Sequence, residues 1–302
     1  MPQPTFDALF AQAPAAQKEA LQRFWRGHAP QECVIGNARW RYLCVGQGRR
    51  TVLLLPHALA PADIWFHLAG ALAPHYRCLI PDGYALQGVY DADLICEALV
   101  HIIEAGGAFS AAVIAHGAGG SVAQFLLQRY PHRVQHLVLC HSVALDSQAP
   151  MPLRTWRPLL GWAPWALLRP RLFAALAPNL PEGLRWSAFA RAYLQWMTQD
   201  LDQGKVQRFV QAEGDMRQRF ELRPAVEPGW PGRVLAIAST DDPLSYDSLA
   251  FLRERYPRCQ AVAWNAGGHW APLLFPEHLA EQVRRFLTGE ALQTRPSASA
   301  RP

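Results

Sequence analysis

The sequence predicts an α/β fold: a mostly parallel sheet with helices on both faces and a helical insertion capping one edge. Three observations carry this. Short continuous apolar runs of strand length, such as TVLLL at 51–55 and RVLAIA at 233–238, alternate with segments of helical apolar spacing. One run, AAVIA at 111–115, passes through a glycine-rich turn, HGAGG, straight into a helix. Between about residues 146 and 228 the alternation stops and proline-broken helical stretches carrying five tryptophans take over.

The elements follow in order. Residues 1–30 form an N-terminal segment that reads as an amphipathic helix. Residues 32–36 and 38–45 run apolar or alternate around Gly36-Asn37, a hairpin composition. The unbroken run at 51–55 is a strand covered on both faces. After the loop at 56–62, Asp63 is placed to cap a helix running to about Leu72. Strand 77–81, helix 91–104, strand 111–115, helix 121–130 and strand 134–140 repeat the unit. Such alternation winds a parallel sheet by right-handed crossovers and places function at the carboxyl ends of its strands. The sheet resumes with strand 233–238, helix 245–256, strand 260–264 and helix 277–287, with Gly289 as a stop. The core is therefore 31–145 and 229–289, the cap 146–228, and 290–302 a disordered tail. Trp156, Trp162, Trp165, Trp186 and Trp196 crowd the cap, and an apolar pocket beneath it is a natural ligand site, with Trp162 and Trp165 in its lining. Packing between cap helices is the commoner use of such tryptophans.

Composition narrows the function. A chain of 302 residues, half of them apolar, fits one large domain with an insertion. The six cysteines are scattered without a C-x-x-C pair, which predicts free buried thiols in a reducing compartment and a cytoplasmic protein. Ligand spacing for a metal is missing, and no cofactor is implied. A net charge of +5 is spread over dispersed arginines, so nucleic-acid binding is not indicated. No apolar run is long enough to span a membrane, and the opening residues, with an early Asp7, lack the order of a secretory signal.

The chemistry-bearing residues lie where such a sheet exposes them. Ala115-His116-Gly117-Ala118-Gly119 occupies a strand-to-helix turn, Ser239-Thr240-Asp241-Asp242-Pro243 follows a later strand, and Ala266-Gly267-Gly268-His269-Trp270 follows the last one. An elbow, then an acid, then a histidine is the chain order of a hydrolase triad. On these motifs, over nearly its whole length after residue 30, the chain resembles the α/β-hydrolase superfamily. Through LLPHALAPADIWF, HGAGGSVAQFLLQRYPHRVQHLVLCHS and STDDPLSYDSLAFLRERYP it is most similar to the maspardin-like branch. The resemblance implies an acid role for Asp242, with Asp241 as the other candidate, and a base role for His269. The nucleophile position falls on Gly117, which carries no group able to attack a carbonyl. The loop that usually supplies an oxyanion donor has His57 where a glycine is usual, followed by Ala58; the N–H of Ala118 is the other donor. His116 and Trp270 lie beside the elbow and the base as pocket residues. Plainer roles compete: His269 as a loop histidine, Asp242 as a helix-initiating residue, and Ser121 as a buried helix residue.

Three functions are compatible with this pattern. The first is a hydrolase-fold protein without ordinary serine-hydrolase activity that binds a small apolar ligand or a protein partner, as the resemblance to maspardin-like interaction proteins implies. The second is an enzyme using the His269/Asp242 pair without a serine. The third is an esterase-type hydrolase in which glycine has been put in place of a serine at 117. Oligomeric state is not legible in the sequence.

Overall fold

The apolar run near residue 50 folds as its composition demands. In the computed structural model every residue of β3 (Arg50–Leu55) after Arg50 is buried, which requires cover on both faces. The structure describes residues 4–36, 38–145, 159–160, 162–176, 180, 183–220, 230–256 and 258–292.

The other strands are β1 (Gln31–Ile35), β2 (Ala38–Val45), β4 (Tyr76–Pro81), β5 (Ala111–His116), β6 (Val134–Cys140), β7 (Val234–Ser239) and β8 (Cys259–Trp264). They form one eight-stranded sheet in the order β1-β2-β4-β3-β5-β6-β7-β8. β1 and β2 make the predicted hairpin, Ile35 opposite Ala38, and β2 runs antiparallel to β4. Every other pairing is parallel. The chain winds from β3 to β4 on one side and returns to β5 on the other, so the order reverses between β3 and β5. Loops leaving the carboxyl ends of strands at such a reversal border a crevice, the usual place for a site.

The helices are α1 (Phe6–Leu9), α2 (Ala15–Gly27), α3 (Phe66–Leu72), α4 (Ala92–Ala105), α5 (Gly119–Arg129), α6 (Trp165–Leu176), α7 (Ser187–Gln199), α8 (Gln203–Arg219), α9 (Pro243–Tyr246), α10 (Ser248–Arg255), α11 (Ala271–Leu274) and α12 (Pro276–Thr288). Alternate strand residues serve opposite layers, as the two-residue period requires. Leu53, Val113 and Leu137 pack with Leu99 of α4 and Phe125 of α5. Val52, Ile114 and Val138 pack with Leu68 of α3 and Phe286 of α12. Helices α6 to α8 interrupt the sheet between β6 and β7. α8 joins the first layer through Val206, Val210 and Met216, and α7 joins the second through Phe189, Tyr193 and Leu194, so the two straddle the sheet.

Three predicted helices differ. The N-terminal helix breaks at Pro14: α1 and a 3-10 turn (Phe10–Gln12) precede it, and Ala13 is extended, as a residue before proline tends to be. Asp63 caps nothing. It lies buried inside a 3-10 turn (Ala62–Trp65), its carboxylate taken by Trp25 and Tyr193. The helix expected at 245–256 is two, α9 and α10. Gly289 does end α12, in the left-handed conformation at φ 82°. All six cysteines are free. Among the described residues no helix is long and apolar enough to cross a membrane. Asn37, Trp156 and the tail from residue 293 lie outside the described residues.

Candidate functional site

The elbow is built by backbone geometry. Gly117 follows β5 at φ 54°, in the left-handed region where glycine is cheap and other residues are strained, and its N–H donates to the Cys140 carbonyl at 3.1 Å. Two residues on, a Cβ on Gly119 would lie 2.4 Å from the Pro56 carbonyl oxygen. Only a bare backbone lets the first turn of α5 approach the loop after β3 this closely.

Asp241 and Asp242 divide the work of holding His269. Asp241 accepts from Gly267 N–H at 3.2 Å and Gly268 N–H at 3.0 Å, which pins the loop after β8. Asp242 Oδ2 accepts from His269 Nδ1 at 3.0 Å and from Ser245 Oγ at 2.6 Å. Burial works to raise the Asp242 carboxyl, but the bond from His269, its charge and the Ser245 hydroxyl together hold it below the usual carboxylate value. With Nδ1–H given to the carboxylate, Nε2 is the basic nitrogen of the ring. That nitrogen stands 3.0 Å from where a Cβ on Gly117 would be.

Three rings surround this pair. His57 Nδ1 accepts the Leu59 N–H at 3.3 Å, so its proton is on Nε2; burial, then the charge of His269, push the ring down to about 3 and keep it neutral. Phe209 of α8 packs against it at 5.4 Å between ring centroids. His116 Nε2 donates to the His269 carbonyl at 2.7 Å, and its Nδ1 is buried without a partner. Trp270, fully buried, lies 5.7 Å from His57, 5.1 Å from His116 and 5.6 Å from His269. Ala58 is fully buried in the loop after β3, and Ala118 sits at the N-cap of α5.

A family model described as the alpha/beta hydrolase family matches residues 52–283, from β3 into α12 and across every residue just placed. The chain belongs to the alpha/beta hydrolase family. Solved structures agree on the fold. A hydrolase from Pseudomonas aeruginosa PA01 is 17% identical at a TM-score of 0.68, covering 85% of this chain and 98% of its own. An enol-lactonase from Burkholderia xenovorans LB400 is 15% identical at 0.70, covering 85% and 100%. A thermophilic esterase from Thermogutta terrifontis is 18% identical at 0.66, covering 87% and 98%. No curated protein matches the chain.

This alpha/beta hydrolase places its predicted site residues unevenly. Gly117, His57, His116, His269, Trp270 and Asp242 converge. The pocket tryptophans are a correction: Trp162 is 74% exposed, and Trp165 is half-buried against the α4/α5 layer. Trp186 packs on Phe66 and Phe189, and Trp196 on Trp25 and Tyr193, because indoles complete the second layer between the N-terminal and inserted helices. Among the described residues of the inserted helices, the aromatic that reaches His57 is Phe209. Ser121 is a buried helix residue whose Oγ donates to Glu213 at 3.0 Å. His141 had not been singled out from the sequence. It follows β6 at φ 49°, lies fully buried, pairs with Ser239 Oγ at 2.8 Å, and is pushed down to about 3 by burial and then by His269. The signal was there in Cys140-His141-Ser142, polar residues at the carboxyl end of an apolar strand. Among the described residues no group of three His, Cys, Asp or Glu could hold a metal ion.

Proposed function

We propose that this alpha/beta hydrolase does not carry out serine-dependent acyl transfer and acts by binding a ligand or a protein partner. One observation carries the reading: His269 Nε2, backed by Asp242, faces residue 117, and residue 117 is a glycine. Removing the serine of such a triad typically costs about 10⁶-fold in turnover, or roughly 8 kcal/mol of barrier. The Ala118 N–H can still face an oxyanion, but donors of that kind do not supply a nucleophile. Similarity to the maspardin-like branch supports the same reading, since those proteins are regarded as interaction proteins. On this view Gly117, Asp242 and His269 are a triad lacking its attacking group, and the protein is a pseudoenzyme.

A second reading has one observation in its favour. His269 Nε2 is a free imidazole base of fixed orientation, which suits proton abstraction or water activation without a covalent step. The initial rate on short- and medium-chain p-nitrophenyl esters, for the parent and for His269→Ala, separates the two. The binding reading expects no difference between them above background. A parent that hydrolyses these esters and loses the activity with His269→Ala overturns it in favour of the general-base reading.

A further inference from the structure

Away from the triad, a cavity of about 590 Å³ opens between α2, β2, the loop after β3 and the end of α7. Its size is that of a small-molecule site. Trp25 and Trp196, with ring centroids 5.2 Å apart, stand in its wall, and so do Asp63, Asp82, Arg41 and Lys205.

With Asp200, the wall holds three carboxylates against two cations. Arg41 is committed to Asp82 at 3.7 Å, and Lys205 to Asp202 at 3.4 Å and to the Asp200 carbonyl. Asp63 is different: among the described residues its hydrogen-bond partners are the Trp25 indole N–H and the Tyr193 hydroxyl, both neutral. Burial raises its carboxyl to about 6 against the opposing pull of those two donors and of Arg41, so above that pH Asp63 carries a charge that no hydrogen-bonded cation offsets and that attracts one. Two half-buried indoles line the same cavity, and indoles are the side chains that organic cations prefer. An anion would instead have to take Arg41 or Lys205 from its present partner, against the field of Asp63.

We propose that this cavity is a binding site for an organic cation, an ammonium group on an alkyl or aryl body, with its charge set against Asp63 and its hydrocarbon laid on Trp25 and Trp196. The site is not part of the triad. The same loop serves both, since Asp63 follows His57 by six positions and Leu59, whose N–H bonds His57, also lines the cavity.

The test is titration calorimetry on the full chain with tetramethylammonium, phenethylammonium and phenyltrimethylammonium, against phenethyl alcohol and phenylacetate. At least one ammonium probe is expected to bind at a single site about tenfold or more tighter than the neutral and anionic probes. Asp63→Asn should abolish that preference while leaving the fold intact, because the amide oxygen can accept from Trp25 and the amide N–H can donate to the Tyr193 oxygen. Trp196→Leu, a variant independent of the carboxylate, should weaken the ammonium probes several-fold. Affinity should also fall between about pH 7 and 5, since burial pushes Asp63 up to about 6 and its protonation removes the attracting charge; His28, Asp82 and Asp200 share the wall, so the fall assigned to Asp63 is the part that Asp63→Asn lacks. No saturable ammonium binding, equal binding of alcohol or phenylacetate, or full affinity in both variants would each overturn the proposal. Ester hydrolysis plays no part in this readout, so it and the reading of the triad fail separately.

Discussion

His57 Cδ2 stands 2.8 Å from the point that a Cβ on Gly117 would occupy, closer than nonbonded carbons approach without one of them moving. On the reading proposed above, the site differs from a serine triad twice, once by what residue 117 lacks and again by what fills the space beside it. Gly117→Ser alone should therefore give little hydrolysis. It should also lower stability by about 1–3 kcal/mol, since a serine at φ 54° is strained as well as crowded. His57→Gly should remove the obstruction, and the double variant should hydrolyse p-nitrophenyl acetate faster than the two single changes together predict. Initial rates with thermal melts decide this; a well-folded double variant no faster than the parent would show that more than these two positions separates this site from a hydrolase.

Asp241 and Asp242 should separate cleanly by mutation. Asp242→Ala leaves two donors without their acceptor and should cost about 1–3 kcal/mol, with loss of the fixed Nδ1–H tautomer of His269 in the imidazole nitrogen spectrum. Asp241→Ala should keep that tautomer and speed amide exchange at Gly267 and Gly268. The Asp242 carboxyl is held low in the fold, so its contribution is present above the unfolded value of about 4 and is lost as pH falls through the folded one. The stability gap between parent and Asp242→Ala should narrow in acid. A gap unchanged on acidification would show that the charge of Asp242 contributes nothing.

Asp63 has the opposite sign. Its carboxyl is raised from an ordinary value near 4 up to about 6 by burial, so the fold binds that proton more tightly than the unfolded chain does. The resulting stabilisation is full below about pH 4 and is lost as pH rises through about 6. Asp63→Asn, neutral throughout, should melt at or above the parent temperature at about pH 7.5 and show a flatter profile through that window. Buried His57, His116 and His141, held low by desolvation, shift both proteins alike, so the difference between the two profiles isolates Asp63. Parallel profiles would refute the assignment.

Glu213 ties the inserted helix α8 to the elbow helix. Its carboxylate accepts from Ser121 Oγ at 3.0 Å and Tyr84 OH at 3.2 Å, with Arg217 Nε at 3.8 Å. Glu213→Ala leaves buried donors and a buried cation without their shared acceptor and should cost about 3 kcal/mol or more. Glu213→Gln, which can still serve Ser121 and Tyr84, should cost clearly less. Urea midpoints at constant slope measure both, and equal losses would show that the charge, and not the hydrogen bonding, is what α5 requires.

Local pattern made most of the sheet legible. The parallel strands fall within a residue of the runs read from the sequence; the inner β3, β5 and β7 announce themselves by continuous hydrophobicity because both their faces are covered, and the edge strand β8 by alternation. The His269–Asp242 pair was legible through the resemblance, which left Asp241 as the other acid; Asp242 is the one that meets His269, while Asp241 takes the Gly267 and Gly268 N–H groups. Asp63 was not legible. It has the composition of a helix cap, but its partners lie 38 and 130 residues away, and nothing local marks that a distant indole and phenol will claim it. The tryptophans were legible in part: packing between helices, the commoner use, holds for Trp186 and Trp196, but that Trp196 would pack on Trp25 depended on the N-terminal helices, and a pocket lined by Trp162 does not form, since that ring is exposed. His57 was recognised as an obstruction to an oxyanion donor, whereas its intrusion on residue 117 follows from ring packing against Phe209 and Trp270.

The tie between the N-terminal helices and the insertion bears on how the chain is made. Phe10 packs on Phe189, Phe6 on Trp196, and Gln17 Nε2 donates to the Arg185 carbonyl, 168 residues further along. A ribosome adding roughly 5–20 residues per second delivers that partner on the order of ten seconds or more after Gln17. For that interval the aromatic face of these helices stays in water beside a sheet still missing at least two strands, so this part of the core closes only after β6 has been made, a demand on the order of synthesis that the stability of the finished fold does not express.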